Sequence, residues 1–505
     1  MFRPDELHSG GRVVSLALAV VCLTAGVRDA RSDDGPLVFE SPLQVIGTSA
    51  DGLAAQLELN VQAYNVIKRR AHVSVGGFVA APGRSFDLEL EQFRVFDGQS
   101  RFLRDGELAV AAPDVVLLRG HVAGAPESRV FLALSPHGSN GTLEHAGETF
   151  LLSTFAPDAS EPERRVTMAY RQGAYPPAQA DPWSCNVIPL PIVLAAPPVT
   201  GEVPIRLATG GPNGGGIARG STCLEAVVAI ESDHEYFQIF GSEAAASAYI
   251  VTIVGVASNI FERDTGMKLQ IGFARVWTTP IDPWTGSRAS LGEFQDYWNA
   301  NMTHIVRTSA HFLSGKGGGG VAYFPGVCYP GFDYALSNVN GSFPAPPISN
   351  NGSNWDIHVV THEWGHTYGA PHTHSLTPPV DTCATNCTPP HQGTIMSYCH
   401  ICPGGERNIV LEFHNRLQDL IIAQVTSVGC ITKPISCSPL LRGDLNCDGA
   451  INGADIDAFF LALGDPPAYQ ARFPDCDAAV LGDMNASGYF NGADIDVFFE
   501  VLGGP

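Results

Sequence analysis

The chain has 505 residues, 45% of them hydrophobic, which is long enough for about three folded domains. It carries 29 basic and 51 acidic residues, a net charge of −22, and has no basic block. We therefore expect no nucleic-acid partner, because no patch could neutralise a phosphate backbone. The excess carboxylates are better suited to solubility and to hard cations such as calcium.

The first 32 residues have the layout of a signal peptide. Arg3 and Arg12 precede an apolar run from Val13 to Gly26, and a polar stretch follows. The run is shorter than the roughly 20 residues that cross a bilayer, so a short uncleaved anchor is the alternative. No other segment predicts a membrane span. We expect a secreted or cell-surface protein with no membrane span after signal removal.

Cysteine usage agrees with export. The chain has 12 cysteines, and removal of Cys22 with the signal leaves 11. In an exported protein most of these are expected to form disulfides. The odd number leaves at least one thiol unpaired.

Three composition changes divide the rest of the chain. Residues 33–155 alternate short apolar segments with Gly, Pro and Asn, which predicts an all-β unit. Residues 156–222 are rich in Pro, Ala and Gly, as a linker or processing region is. In residues 223–430 strands alternate with helices, which predicts a mixed α/β domain, with a glycine-rich edge strand in GKGGGGVAYF.

A metal-ligand pattern lies in VVTHEWGHTYGAPHTH. On a helix, His362 and His366 project from one face and can share a zinc ion, and Glu363 can reach a metal-bound water as general base. Gly369 allows the chain to turn back through a positive φ and to bring in His372. Three protein ligands leave an open position, which is the arrangement of a catalytic zinc site.

These residues resemble the metzincin zinc peptidases, whose signature H-E-x-x-H-x-x-G-x-x-H is followed by a methionine turn. Met396 in GTIMSYC matches that turn and would form the floor under the histidines. The segment GGVAYFPGVC and the cysteines around the turn resemble the reprolysin (ADAM-type) group. Thr373 departs from the Asp usual there, and Tyr398 has the spacing of astacins and serralysins, in which this tyrosine stabilises the transition state.

The resemblance implies a fold and an activity. The fold would be an α+β catalytic domain with a mixed five-stranded sheet and a zinc-binding helix. The activity would be endopeptidase hydrolysis of a protein or peptide substrate by zinc-activated water, with one zinc ion and Glu363 as base. Substrate would lie extended along the edge strand near Gly320 to Tyr323. For His358 and His374, a solvated or packed side chain is favoured over one that supports a zinc ligand by a hydrogen bond.

By position, the β-rich N-terminal unit resembles a propeptide, which implies a zymogen. Relatives use a propeptide thiolate to occupy the open zinc position, and Cys185 in WSCNV lies in the matching region. A disulfide, for example with Cys223, is the alternative.

The C-terminal part contains a repeat. Residues 443–466 recur at 482–505 with 15 of 24 positions identical, which indicates a paired module after a linker at 431–442. Each copy has oxygen ligands at the positions of an EF-hand-like loop, so we expect two calcium ions. The ligands would be Asp444, Asn446, Asp448, the Ala450 carbonyl, Asn452 and Asp455, and in the second loop Asp483, Asn485, Ser487, the Tyr489 carbonyl, Asn491 and Asp494.

Each loop is followed by a single helix, so residues 443–505 resemble a small α-helical type I dockerin, which implies a cohesin-like or other cell-surface partner. The sequence as a whole predicts a secreted zinc endopeptidase, made as a zymogen, with a calcium-dependent docking module. The alternative is a catalytically inert surface or scaffold protein that acts through the dockerin-like module.

Overall fold

The computed structural model describes residues 38–106, 108–175, 185–190, 224–341, 343, 356–431, 442–446, 451–473, 476, 478–484 and 490–503. The chain divides into Met1–Pro36 and Leu37–Pro505, and all described residues belong to the second unit. The predicted signal peptide lies outside the described residues.

The N-terminal part is β-rich. Its elements are β1 (Val38–Glu40), β2 (Leu43–Thr48), β3 (Ala54–Leu59), α1 (Val61–Ile67), β4 (His72–Ala81), β5 (Arg84–Phe93), β6 (Arg101–Arg104), β7 (Leu108–Ala109), β8 (Val116–Val122), β9 (Ala125–Leu134), β10 (Asn140–His145), β11 (Glu148–Phe155) and β12 (Val166–Arg171). Ten of these strands form one sheet, in the order β1-β4-β5-β8-β9-β10-β11-β12-β3-β2. The sheet continues past residue 155, where the sequence placed a linker, because β12 pairs with both β11 and β3.

The following part combines strands and helices. Its elements are β13 (Cys185–Pro189), β14 (Leu224–Ser232), α2 (His234–Phe240), α3 (Glu243–Thr265), β15 (Met267–Val276), α4 (Leu291–Asn301), β16 (Ser309–Ser314), β17 (Gly320–Phe324), β18 (Tyr334–Asn338), α5 (Asp356–Thr367), β19 (Gly393–Thr394), β20 (Ile409–Val410) and α6 (Asn415–Ser427). Short 3-10 helices follow α5 at Thr373–Ser375, Cys399–Ile401 and Gly405–Asn408.

The helix α3 begins and ends where its sequence has capping residues. The Ser242 side chain accepts a hydrogen bond from the Ala245 amide, and Gly266 takes the left-handed conformation at the other end. By length and composition, α3 is the one helix among the described residues that is apolar enough to cross a membrane, which was not predicted from the sequence. However, 89% of its most apolar window is buried inside the protein, so it packs as a core helix.

The α/β part contains the predicted mixed sheet, but the sheet is larger than predicted. Strands β14 to β18 form five neighbouring strands in which only β17 is antiparallel to its neighbour β18. Strands β6 and β7 of the N-terminal part lie next to β15, and β13 lies next to β17, which makes eight strands. The strand β17, predicted to be an edge, is therefore covered by β13.

The N-terminal and α/β parts also share one hydrophobic core. Leu117 of β8 and Phe131 of β9 belong to the same buried cluster as Val254 of α3. At its margin the Arg119 guanidinium makes two hydrogen bonds with the Glu262 carboxylate. Burial of this kind is the main favourable term in folding, so the two parts stabilise each other.

The C-terminal part is helical. Its elements are α7 (Asp455–Gly464), α8 (Pro466–Arg472), α9 (Ala478–Leu481) and α10 (Ile495–Gly503), with a 3-10 helix at Gly492–Asp494. Phe459 of α7 and Phe498 of α10 occupy equivalent places in the two repeats, and their rings stack with centroids 4.1 Å apart. The second repeat contacts the N-terminal part, because Asp483 forms a 3.1 Å ion pair with Arg94.

Three disulfides have both of their cysteines among the described residues, and these three lie in the α/β part; Cys476 of the C-terminal part is disulfide-bonded as well. The pairs are Cys328–Cys430, Cys383–Cys399 and Cys387–Cys402. The last two flank Met396 and tie together the segment that packs under α5. Cys185 is a free thiol, which removes the alternative of a disulfide with Cys223.

Candidate active site

Three imidazoles converge at the end of α5. The Nε2 atoms of His362 and His366 lie 3.1 Å apart, and that of His372 lies 3.2 Å and 3.1 Å from them. The ligand nitrogens of a tetrahedral zinc ion, each at about 2.0–2.1 Å from the metal, would be separated by about 3.3 Å. The three nitrogens thus have the spacing of a zinc-ligand set.

The protonation of the two helix histidines also fits a metal. Nδ1 of His362 lies 2.7 Å from the Ile395 carbonyl, and Nδ1 of His366 lies 2.8 Å from the Ala370 carbonyl. Because a carbonyl only accepts, each Nδ1 carries a proton and each Nε2 presents a lone pair to the cluster.

Burial keeps all three rings neutral. It lowers the pKa of His362 well below its usual range, that of His366 to about 4 and that of His372 to about 2. Lone pairs held this close repel one another unless a cation lies between them, so these residues fit a zinc ion.

Glu363 lies beside the cluster. The residue is fully buried, and neither carboxyl oxygen has a hydrogen-bond partner of normal geometry. Burial raises the pKa of Glu363 well above its usual range, and the neighbouring Cys185 thiol acts in the opposite direction. A buried carboxyl group without a partner is costly unless a metal or a reacting water satisfies it.

Two glycines shape the surroundings of the helix. Gly369 has a φ of +99°, the positive value expected for the turn that brings His372 back to the cluster. Gly365 lies over Met396, and a Cβ atom at this position would collide with the Met396 sulfur. The methionine therefore packs directly under the helix between the two histidine ligands.

The segment around Cys185 lies against β17 and the histidine cluster, in the cleft where an extended substrate would bind. Strand β13 pairs in parallel with β17, with Cys185 opposite Gly320 and Ile188 opposite Tyr323. One ligand atom from each of Cys185 and the three clustered histidines lies within 4.8 Å of the others. The Tyr398 hydroxyl donates a 2.9 Å hydrogen bond to the Cys185 carbonyl. The predicted switch residue and the predicted transition-state tyrosine thus lie together at the histidine cluster.

Other histidines surround the site. His374 stacks on His372 with ring centroids 5.0 Å apart. His358 is fully buried, and its two nitrogens contact the Ile395 carbonyl and the Glu406 carboxyl group. No local pattern in the sequence marks Glu406, because it approaches α5 from 48 residues away.

The predicted calcium ligands are described only in part. The side chains of Asp444, Asp455, Asp483 and Asp494 are buried. The Asp455 carboxylate accepts hydrogen bonds from the backbone N–H groups of Asn446 and Asn452, as expected for the last residue of such a loop. Five predicted ligands lie outside the described residues: Asp448, Ala450, Asn485, Ser487 and Tyr489.

Comparison with known proteins gives one family match and one similar solved structure. Residues 225–409 match the Reprolysin_5 model of metallopeptidase family M12, and this range contains the three histidines, Glu363 and Met396. Among solved structures, metalloproteinase-II from Bacteroides fragilis is similar, with a TM-score of 0.37 and 10% sequence identity over 70% of this chain and 90% of that chain. No curated protein matches the chain.

Proposed function

We propose that this metalloendopeptidase uses one zinc ion, held by His362, His366 and His372, and that it is made as a latent, exported precursor. The observation that carries the proposal is the convergence of three Nε2 atoms beside the buried carboxyl group of Glu363. When bound, zinc supplies a Lewis acid that polarises the scissile carbonyl and lowers the pKa of a water molecule.

The residues of the chain do the rest of the chemistry. Glu363 takes the proton of the attacking water and returns it to the leaving amine. Tyr398 donates a hydrogen bond to the scissile carbonyl oxygen as negative charge develops there. Its hydrogen bond to the Cys185 carbonyl supports this role, because that carbonyl belongs to an extended segment lying in the cleft.

The Cys185 segment would keep the precursor inactive, because it lies where substrate would bind. Strand β13 takes the hydrogen-bonding edge of β17, along which an extended substrate would otherwise add. The Cys185 thiol is buried and lies close enough to the three histidines to be a fourth ligand. Substrate can reach the site only after this segment has been displaced.

Activity against casein tests the peptidase proposal. After limited proteolysis has cut the chain between residues 190 and 224, the wild-type enzyme should cleave casein, and a zinc chelator should abolish cleavage until zinc is returned. The Glu363→Ala variant should bind zinc but lose cleavage. Glu412→Ala is the control, because Glu412 is partly exposed and pairs with Arg129 outside the site. Equal activity of wild type and Glu363→Ala would instead favour the inert scaffold.

We also propose that the C-terminal repeats bind two calcium ions and dock the enzyme to a cohesin-like or other cell-surface partner. The carboxylates of Asp444, Asp455, Asp483 and Asp494 support the proposal, since they are buried at the first and last positions of the two loops, where calcium takes carboxylate oxygens. Calorimetry should give two calcium ions per chain, and a result of none would refute this part.

A further inference from the structure

The backbone carbonyl of Ile395 lies between two imidazoles of α5. Nδ1 of His362 is 2.7 Å from this oxygen, and Nε2 of His358 is 2.8 Å from it. Because the oxygen only accepts, both nitrogens carry a proton. The carbonyl therefore determines which nitrogen of His362 presents its lone pair to the cluster.

The ring of His358 is fixed at its other nitrogen as well. His358 is fully buried one turn before His362, and its Nδ1 lies 3.0 Å from a carboxyl oxygen of Glu406. Glu406 belongs to the short helix Gly405–Asn408, which follows the disulfide-linked Cys402. With both nitrogens hydrogen-bonded, the imidazole cannot rotate without breaking two hydrogen bonds.

The other helix ligand is oriented differently. Nδ1 of His366 donates to Ala370, four residues along the same turn. His362 instead depends on Ile395, which is 33 residues away in sequence and immediately precedes Met396. The orientation of the His362 ring thus depends on the position of this distant segment against α5.

We propose that Glu406 and His358 are positioning residues of the metal site: together they hold the Ile395 carbonyl where it orients His362. The inference rests on the proposed function, since it takes the three histidines as zinc ligands. The Ile395 carbonyl is the hydrogen-bonded link between His358 and His362, and the two rings also pack edge to face with centroids 5.7 Å apart. Partners that orient a metal-bound histidine typically change metal affinity by about 10- to 100-fold.

Zinc affinity of the full chain tests the proposal, measured by competition with a chromophoric chelator. Glu406→Leu and His358→Phe should each weaken zinc binding about 10-fold. Glu406→Gln should bind zinc almost as the wild type does, because its amide can donate to Nδ1 of His358 while Nε2 keeps its proton for Ile395. The absorption spectrum of the cobalt-substituted chain should change in Glu406→Leu and be restored in Glu406→Gln.

Glu412→Leu is the matched control, because Glu412 lies six residues after Glu406 and its carboxylate pairs with Arg129 at 3.0 Å; its contact with Ile395 is through the backbone, which the substitution keeps. Circular dichroism at saturating zinc verifies that each variant is folded. Equal zinc affinity and an unchanged cobalt spectrum in Glu406→Leu would overturn the positioning role and leave the proposed function standing. Failure of the wild-type chain to bind zinc would overturn both.

Discussion

The Tyr398 hydroxyl is the most informative single group to remove. It donates to the Cys185 carbonyl at 2.9 Å, and its ring packs against His372 with centroids 4.6 Å apart. Burial raises the pKa of Tyr398, so the hydroxyl stays protonated and able to donate at neutral pH. Tyr398→Phe removes the donor and keeps the ring.

The substitution should have two effects of opposite sign. Loss of one donor to a developing oxyanion lowers kcat about 10²- to 10³-fold, or about 3–4 kcal/mol. In the precursor the same hydroxyl makes a neutral hydrogen bond worth about 1 kcal/mol net. Its loss should raise the equilibrium constant for displacement of the Cys185 segment about fivefold. We therefore expect a precursor that is easier to activate and an active enzyme that is slower.

Steady-state kinetics on a fluorogenic peptide would separate these effects. For the processed variant, kcat should fall with little change in KM, and zinc content by atomic absorption should stay at one ion per chain. The precursor should be processed faster than the wild type at equal protease concentration.

Tyr236→Phe is the control for losing a buried hydroxyl. Tyr236 also donates to a backbone carbonyl, that of Ala246, at 2.8 Å, but it lies on α2 away from the cluster. Its variant should lose some stability and keep its kcat. An unchanged kcat in Tyr398→Phe would remove Tyr398 from the mechanism, and a parallel loss of zinc would assign it a structural role.

Three further outcomes follow from contacts in the structure. Cys185→Ala should give a precursor that cleaves small peptides without processing, but less than the processed enzyme because β13 still pairs with β17; a silent precursor would contradict the thiol's part in latency. Gly365→Ala should lower the free energy of unfolding by about 1–3 kcal/mol in denaturant titration, because the added methyl collides with the Met396 sulfur. Asp483→Ala should reduce calcium binding from two ions to one by calorimetry and break the ion pair with Arg94, and two remaining ions would refute the ligand assignment.

Local sequence signals predicted the elements that carry the histidines. The spacing of His362 and His366 required a helix, and α5 contains both. Gly369 predicted the turn because a positive φ is unfavourable for other residues, and its φ is +99°. These features are visible in sequence because the residues responsible lie within one or two turns of one another.

Features that depend on distant contacts were not predictable in this way. The pairing of β6 with β15 places Arg101 opposite Phe273, and neither segment contains a sequence pattern from which this pairing could be predicted. The same holds for Glu406, whose role depends on a buried histidine 48 residues earlier. For Cys185, the sequence left a disulfide open, and only the folded chain shows a free thiol at the cluster.

The shared eight-stranded sheet has a practical consequence for producing the enzyme. A recombinant fragment that starts at residue 224 would lack β6, and the Phe273–Val276 edge of β15 would have unpaired backbone groups. It would also lose the side chains of Leu117 and Phe131 from its core. Exposed strand edges beside apolar surface promote aggregation, so soluble peptidase should be obtained by expressing the N-terminal part with it and cutting the chain afterwards.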